Sequence, residues 1–234
     1  GTFYSYNFIG LDPQNGLPLF DDYRDRQHLL EGQSLDRIMQ RVGSQSGSRE
    51  PNLAGSFYST LRYQQWSLSA SFNYALGNKI RKFALYKDVL DGVSSENNVR
   101  KEFTKRWRKP GDEKHTQLPS LISPSDPAFQ ENRYHWSAAT PAATQGFEAF
   151  ADNYWMMYDN SNARVVSGSY LRLSNLALRY QFSRKQLKGL PFSNLALDAA
   201  MTNVFTLKSS ALEGQDPTQS GFSLQTALSL RPSF

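Results

Sequence analysis

The chain has 234 residues, 39% hydrophobic and 13% aromatic, with a formal net charge of +5 and no cysteine. It holds no run of about 18 apolar residues, which excludes a transmembrane helix, and the lack of cysteine excludes disulfides and thiol chemistry. A mean hydropathy of −0.58 resembles that of a water-soluble chain, yet it is no argument against a β-barrel, whose strands turn half their residues to a wet lumen.

Residues 3–9 are strand-like and run into the turn-rich Gly10-Leu-Asp-Pro-Gln-Asn-Gly16. The chain is therefore expected to begin inside a strand, with no signal peptide in its first residues. A polar stretch follows to about residue 52, with a short helix expected over Gln33–Val42. The two segments with the clearest period of two come next. Leu53, Phe57, Leu61 and Tyr63 share a face against Ser56, Thr60 and Arg62. Trp66, Leu68, Ala70, Phe72, Tyr74 and Leu76 oppose Ser67, Ser69, Ser71 and Asn73 over residues 66–77. Only Gln64-Gln65 separates the two segments, which demands a tight hairpin. Each runs about eleven residues, and at ~3.3 Å per residue with a ~45° tilt it climbs roughly 25 Å, the height of an outer-membrane barrel's apolar band.

From Gly77 to about Ser167 the period of two is lost, with a helix expected over Asn97–Arg108 and closed by Pro110-Gly111. Alternation returns over 169–182, where Leu176, Leu178, Tyr180 and Phe182 oppose Asn175, Arg179 and Gln181. Leu171 and Leu173 are out of phase with them, which predicts a bulge near Ser174. Over 194–205, Leu195, Leu197, Ala199, Met201 and Phe205 oppose Asp198 and Thr202. The closing segment, 222–231, puts Phe222, Leu224, Thr226, Leu228 and Leu230 in line with the terminal Phe234, against Ser223, Gln225, Ala227, Ser229 and Arg231. An apolar face, a polar face and a terminal aromatic are how the last strand of an outer-membrane barrel reads; a strand of a soluble sandwich shows the same period.

The expected fold is all-β, a partial transmembrane antiparallel barrel of about six long strands. Its connections alternate long and short. Residues 10–52, 78–168 and 206–221 are then external loops, and 64–65 and 183–192 periplasmic turns. Tyr63, Trp66, Tyr180, Phe182 and Phe234 gather at the inner rim, and Phe205 and Phe222 at the outer one. Open edges in hydrocarbon would leave about ten backbone groups unpaired at several kcal/mol each, so the rest of a barrel is the first expected partner.

Phe3-Tyr4-Ser5-Tyr6 with Gly10–Phe20, then Arg106-Trp107-Arg-Lys-Pro110-Gly111-Asp112, then Gly168–Tyr180, Asn203-Val-Phe205 and Asp216-Pro217 occur in an order that resembles the carboxy-terminal third of SusC/RagA-type TonB-dependent transporters. The resemblance runs the length of the chain. It implies a plugged 22-stranded barrel in the outer membrane of a Bacteroidetes-like Gram-negative bacterium, lidded by a SusD-like surface lipoprotein and energised by TonB. Oligosaccharides or peptides are the implied substrates. The family's plug and TonB box lie amino-terminal, so both are expected outside this chain. A TonB-dependent siderophore or vitamin receptor, or a non-transporting β-rich surface carbohydrate-binding protein, are the alternatives.

No enzymatic constellation emerges, and no cofactor or metal is expected. His28, His115 and His135 have no ligand spacing, and Asp21, Asp22 and Asp25 lack the glycine-containing twelve-residue calcium loop. Gly10–Gly16 lacks the Lys-Ser/Thr pair of a phosphate loop, and no Gly-x-Ser-x-Gly elbow is present. The basic run Lys101–Lys109 reads as a solvated external helix or a contact to lipopolysaccharide phosphates at the bilayer, with no nucleic-acid partner. Trp136, Tyr154, Trp155 and Tyr158 are candidates for stacking on substrate; the alternative is that they pack the loop's own core or the lid. Asn73, Asn175, Arg179, Asp198 and Gln225 are the lumen-facing candidates, and Phe222, Leu224, Leu228, Leu230 and Phe234 form the expected barrel-closing signal.

Overall fold

A computed structural model describes residues 1–21, 43–86, 99–122, 154–218 and 223–233, with positions 37 and 40. The chain divides into two compact units, one of Gly1–Arg49 with Arg81–Val166 and one of Glu50–Ile80 with Ser167–Phe234. Apart from helical positions 37 and 40, the helix expected at 33–42 lies outside the described residues.

The first unit is short strands and turns around an aromatic core. Strand β1 (Thr2–Tyr6) pairs antiparallel with β4 (Gly43–Ser48), and β2 (Phe8–Leu11) with β3 (Pro18–Phe20). The single strand expected at 3–9 is thus two strands with separate partners, parted at Asn7. Asn7 bonds instead to Asn162, whose Oδ1 accepts the Phe8 amide at 3.0 Å. The helix expected at 97–108 is also different. Lys101–Lys105 is a 3-10 turn, ended at Arg106 by extended backbone. Helix α1 (Tyr154–Asp159) supplies Tyr154, Trp155, Met157 and Tyr158 to a core with Leu17, Phe20, Leu85, Tyr86, Phe103 and Leu118.

Two motifs separated in sequence interlock in this unit. Gly16 closes the Asp12–Gly16 turn with a left-handed φ of 70°, and a Cβ there would lie 2.3 Å from the Trp107 ring. Only glycine meets both demands. The Gly16 carbonyl then accepts the Ser120 amide at 2.8 Å, while the Trp107 amide donates to Leu118.

The second unit is one five-stranded antiparallel sheet in the order β11-β10-β9-β6-β5. Its strands are β5 (Leu53–Tyr63), β6 (Trp66–Leu76), β9 (Tyr170–Gln181), β10 (Asn194–Lys208) and β11 (Gln225–Ser233). The short pair β7 (Lys79–Arg81) and β8 (Val165–Ser167) falls where the chain passes between units. The β5–β6 hairpin closes through Gln64 at φ 50°, a left-handed position suited to the twist of a two-residue turn.

The phase break in β9 is a bulge at Ser174. Across from β6, Ser71 faces Asn175 and Phe72 faces Leu173, so Ser174 is the extra residue, and its hydroxyl donates to the Ser71 carbonyl at 3.0 Å. The bulge returns Leu171 and Leu173 to the side occupied by Leu176 and Leu178. The same bulge also faces Thr202–Phe205 of β10, where Asn203 takes a φ of 53°. The sheet is not closed into a barrel. Among the described residues no strand pairs with the outer edge of β5 or of β11.

Candidate functional site

Because every pair in the sheet is antiparallel, register aligns side chains into rows across all five strands. One row is Leu61, Leu68, Leu178, Ala199 and Leu228. The row nearer the hairpin is Tyr63, Trp66, Tyr180, Leu197 and Leu230; the row on the other side runs through Ala70, Leu176, Met201 and Thr226. Further along come Phe57 and Phe72, stacked with ring centroids 4.6 Å apart, then Leu173 and Phe205. This face is largely apolar, interrupted by Ser59 and Thr226, and much of it is open, although Leu173 is buried. Leu228, Tyr63 and Leu61 are 73%, 72% and 70% exposed. Monomeric soluble proteins rarely leave a contiguous apolar surface of this extent uncovered.

The opposite face is mostly polar or small, with the large ring of Tyr58 opposite Ser71. Thr60 and Ser69 hydroxyls lie 3.2 Å apart, and the same row continues through Ala177, Ala200 and Ala227. Asn175 shares the next row with Ser71, Thr202 and Gln225, and Asn73 lies opposite Arg172. Arg179 grips Asp198 with Nε at 2.6 Å and a second guanidinium nitrogen at 3.1 Å, and Arg231 approaches the other carboxylate oxygen at 3.0 Å. The five residues expected to face a lumen thus share one side of the sheet. Arg231 was readable only as a polar-face residue; its pairing with Asp198 follows from a register that no local pattern specifies.

At the end of the sheet away from the hairpin, Arg172 holds Thr206 at 2.9 Å and Asp216 at 2.6 Å. Burial alone would raise the Asp216 carboxyl, but the Thr218 hydroxyl and amide and the Arg172 guanidinium outweigh it and hold it below the usual range. Lys208 Nζ donates to the Gln215 carbonyl at 2.7 Å, a second tie on the last loop.

In the first unit the aromatic candidates lie inside rather than on the surface. Trp155 is 0% exposed, Tyr158 2% and Tyr154 8%, and the Trp155 indole donates to the Ser120 carbonyl at 2.6 Å. The structure places their rings in the packing arrangement, with no open face for stacking on a ligand. Burial pushes the Tyr158 hydroxyl well up against the lowering pull of Arg164, with Glu102 and Asp159 adding to the rise; burial likewise raises Tyr86, so both rings stay neutral. Beneath them sits an ion network. Asp159 accepts the Leu85 and Tyr86 amides, each at 2.8 Å. Arg164, 1% exposed, donates to Glu102 at 2.7 Å and to the Phe83 carbonyl at 2.6 Å, and Lys82 also pairs with Glu102. Glu102 therefore turns inward from the basic run 101–109.

Trp136, Phe222 and Phe234 lie outside the described residues, as do His28, His135, Asp22 and Asp25. Leu224, Leu228 and Leu230 are all exposed, at or within the closing strand. Among the described residues no group of three or more His, Asp or Glu side chains could hold a metal ion.

No protein-family model and no curated protein matches the chain. Solved structures do. Over the whole of this chain the fold aligns with a structure described as the RagAB peptide transporter, at a TM-score of 0.62 and 20% identity. The RagAB peptide importer in its open-open and closed-closed states aligns at 0.61 and 19% in each case. Its fold is similar to part of a RagAB chain. The likeness covers all of this chain but only 22–23% of those longer chains. These structural neighbours are transporters rather than enzymes.

Proposed function

We propose that the chain is a portion of the wall of an outer-membrane importer of the SusC/RagA kind, with the five-stranded sheet spanning the bilayer. The observation that carries this reading is the pair of faces: a largely apolar, exposed side and a predominantly polar opposite side on strands of nine to fifteen residues. In water the apolar face would be a liability; against lipid it is the solvated side. The open edges of β5 and β11 then pair with strands supplied by the rest of the barrel, because unpaired backbone is not tolerated in hydrocarbon.

In this reading Asn73, Asn175, Arg179, Asp198 and Gln225 face the lumen, and the loops 10–52 and 78–168, which build most of the first unit, are external. The aromatic core and ion network keep that unit folded where a lid lipoprotein and the substrate, an oligosaccharide or a peptide, meet the channel. The likeness to a RagAB peptide transporter favours a peptide. The plug and the TonB contact belong to the remainder of the transporter. The test is to extract the native protein from outer membrane in mild detergent and identify what travels with it by mass spectrometry. The expected result is a full-length barrel with a surface lipoprotein and a bound peptide or glycan; recovery as a water-soluble protein in the absence of detergent would contradict the proposal.

A further inference from the structure

The connection between β9 and β10 carries a feature that a barrel turn does not need. Residues 183–192 contain Arg184, Lys185 and Lys188, all exposed, and from Tyr180 to Leu197 there is no carboxylate. Asp198, just beyond, is already held by Arg179 and Arg231 on the polar face.

The connection is fixed rather than loose. The Gln186 side-chain oxygen accepts the Ser183 amide at 2.8 Å and the Ser183 hydroxyl at 2.9 Å, while its Nε2 donates to the Tyr180 hydroxyl at 2.6 Å. The Gln186 and Leu187 amides both donate to the Ser183 carbonyl, winding one helical turn that buries Leu187 and leaves Leu190 52% exposed. Tyr180 belongs to the apolar face. Its ring lies 4.7 Å from Trp66 and 5.0 Å from Phe182, and Tyr63 continues the same row. Gln186 therefore hooks the basic turn onto the rim of the apolar face, immediately beyond a belt of four aromatic rings.

We propose that this rim binds the headgroups of anionic glycerophospholipids. Amphipathic aromatic rings settle at the depth of the ester groups, and cations just past them meet the phosphates. The exposed Leu190 adds an apolar contact at the same level, as in interfacial amphipathic segments. Charge complementarity selects the occupant: three cations with no carboxylate between Tyr180 and Leu197 favour a negatively charged headgroup over a zwitterionic one. The inference rests on the membrane-wall reading above.

The experiment uses the intact purified protein in phosphatidylcholine vesicles carrying a fixed fraction of brominated phosphatidylglycerol or of brominated phosphatidylcholine. The Trp66 signal is isolated by difference from Trp66→Phe. Quenching by the anionic lipid is expected to exceed that by the zwitterionic one by about three-fold or more at low salt, because each cation near a charged surface contributes several-fold to attraction. The preference should fall to parity in a variant with Arg184→Gln, Lys185→Gln and Lys188→Gln, and also at high salt. Quenching by brominated phosphatidylcholine in that variant shows that it has still assembled. Parity in the unaltered protein, or a preference that survives the triple change, would overturn the inference and leave the membrane reading standing. An absence of quenching by either lipid would overturn both.

Discussion

Leu176→Arg is expected to destabilise the assembled protein by about 2–4 kcal/mol, the cost of a cation near the middle of a barrel's lipid face. Leu176 lies in the row of Ala70, Met201 and Thr226, two rows inside the aromatic rim. The matched change is Ala177→Arg, one residue away in the chain and on the other face. Its row neighbours are Ser69, Ala200 and Ala227, small side chains that leave room for a long one. Arginine there should be nearly neutral, since the polar face meets water. The comparison is made by urea-dependent folding into lipid vesicles, read by the mobility difference between folded and heated protein. The sign of the contrast matters more than its size: equal tolerance at both positions would remove the distinction between the faces.

Asp159→Ala is the second large effect. The carboxylate is the acceptor for two buried backbone amides, those of Leu85 and Tyr86, and lies 4.0 Å from the Arg164 guanidinium. Alanine leaves both amides without that acceptor and leaves Arg164 with Glu102 as its remaining ion partner. Breaking a buried charged network from one side costs about 3–5 kcal/mol, far more than an exposed ion pair is worth. Asp159→Asn retains an acceptor oxygen but loses the charge, so its effect should be intermediate. Hydrogen exchange at Leu85 and Tyr86 reads the result directly. Faster exchange at both amides in Asp159→Ala is expected; unchanged protection would mean that the carboxylate does not secure this segment.

Much of the sheet was legible in the sequence because its signal is repeated at every second residue. Leu53–Leu76 largely alternates on both sides of Gln64-Gln65, so hairpin and faces follow together. The bulge was legible as a conflict of phase, Leu173 against Leu176, and the structure resolves it by one extra residue at Ser174. The first unit was not legible, for a different reason. Strand β4 is Gly-Ser-Gln-Ser-Gly-Ser, a stretch without any hydrophobic period, and it pairs only because β1 lies opposite. Residues 97–108 had helix-forming composition, but Phe103 is drawn into the core and Glu102 toward Lys82 and Arg164, which shortens the element to a single turn. The aromatic run at 154–158 supported two readings from sequence; burial separates them, and burial depends on Leu17, Phe20, Phe103 and Leu118 from distant parts of the chain.

The polar face shows the same division. Asn73, Asn175, Arg179, Asp198 and Gln225 could be assigned to one side by counting residues. That Asp198 is clasped from both flanks by Arg179 and Arg231 depends on β10 lying between β9 and β11. Local pattern assigned the side; strand order created the contact.

The central claim is that the sheet separates lipid from water. The chain contains no cysteine, so single cysteines can be introduced for spin labels without background from it. Labels at Leu61, Leu68, Leu178 and Leu228 are compared with labels at Thr60, Ser69, Ala177 and Ala227 in the intact protein reconstituted into bilayers. Collision rates with oxygen, which concentrates in lipid, and with a water-soluble nickel chelate report the surroundings of each. The account predicts alternation along every strand, with the first set open to oxygen and shielded from nickel and the second set the reverse. Nickel access to both sets alike would contradict it and place the whole sheet in water.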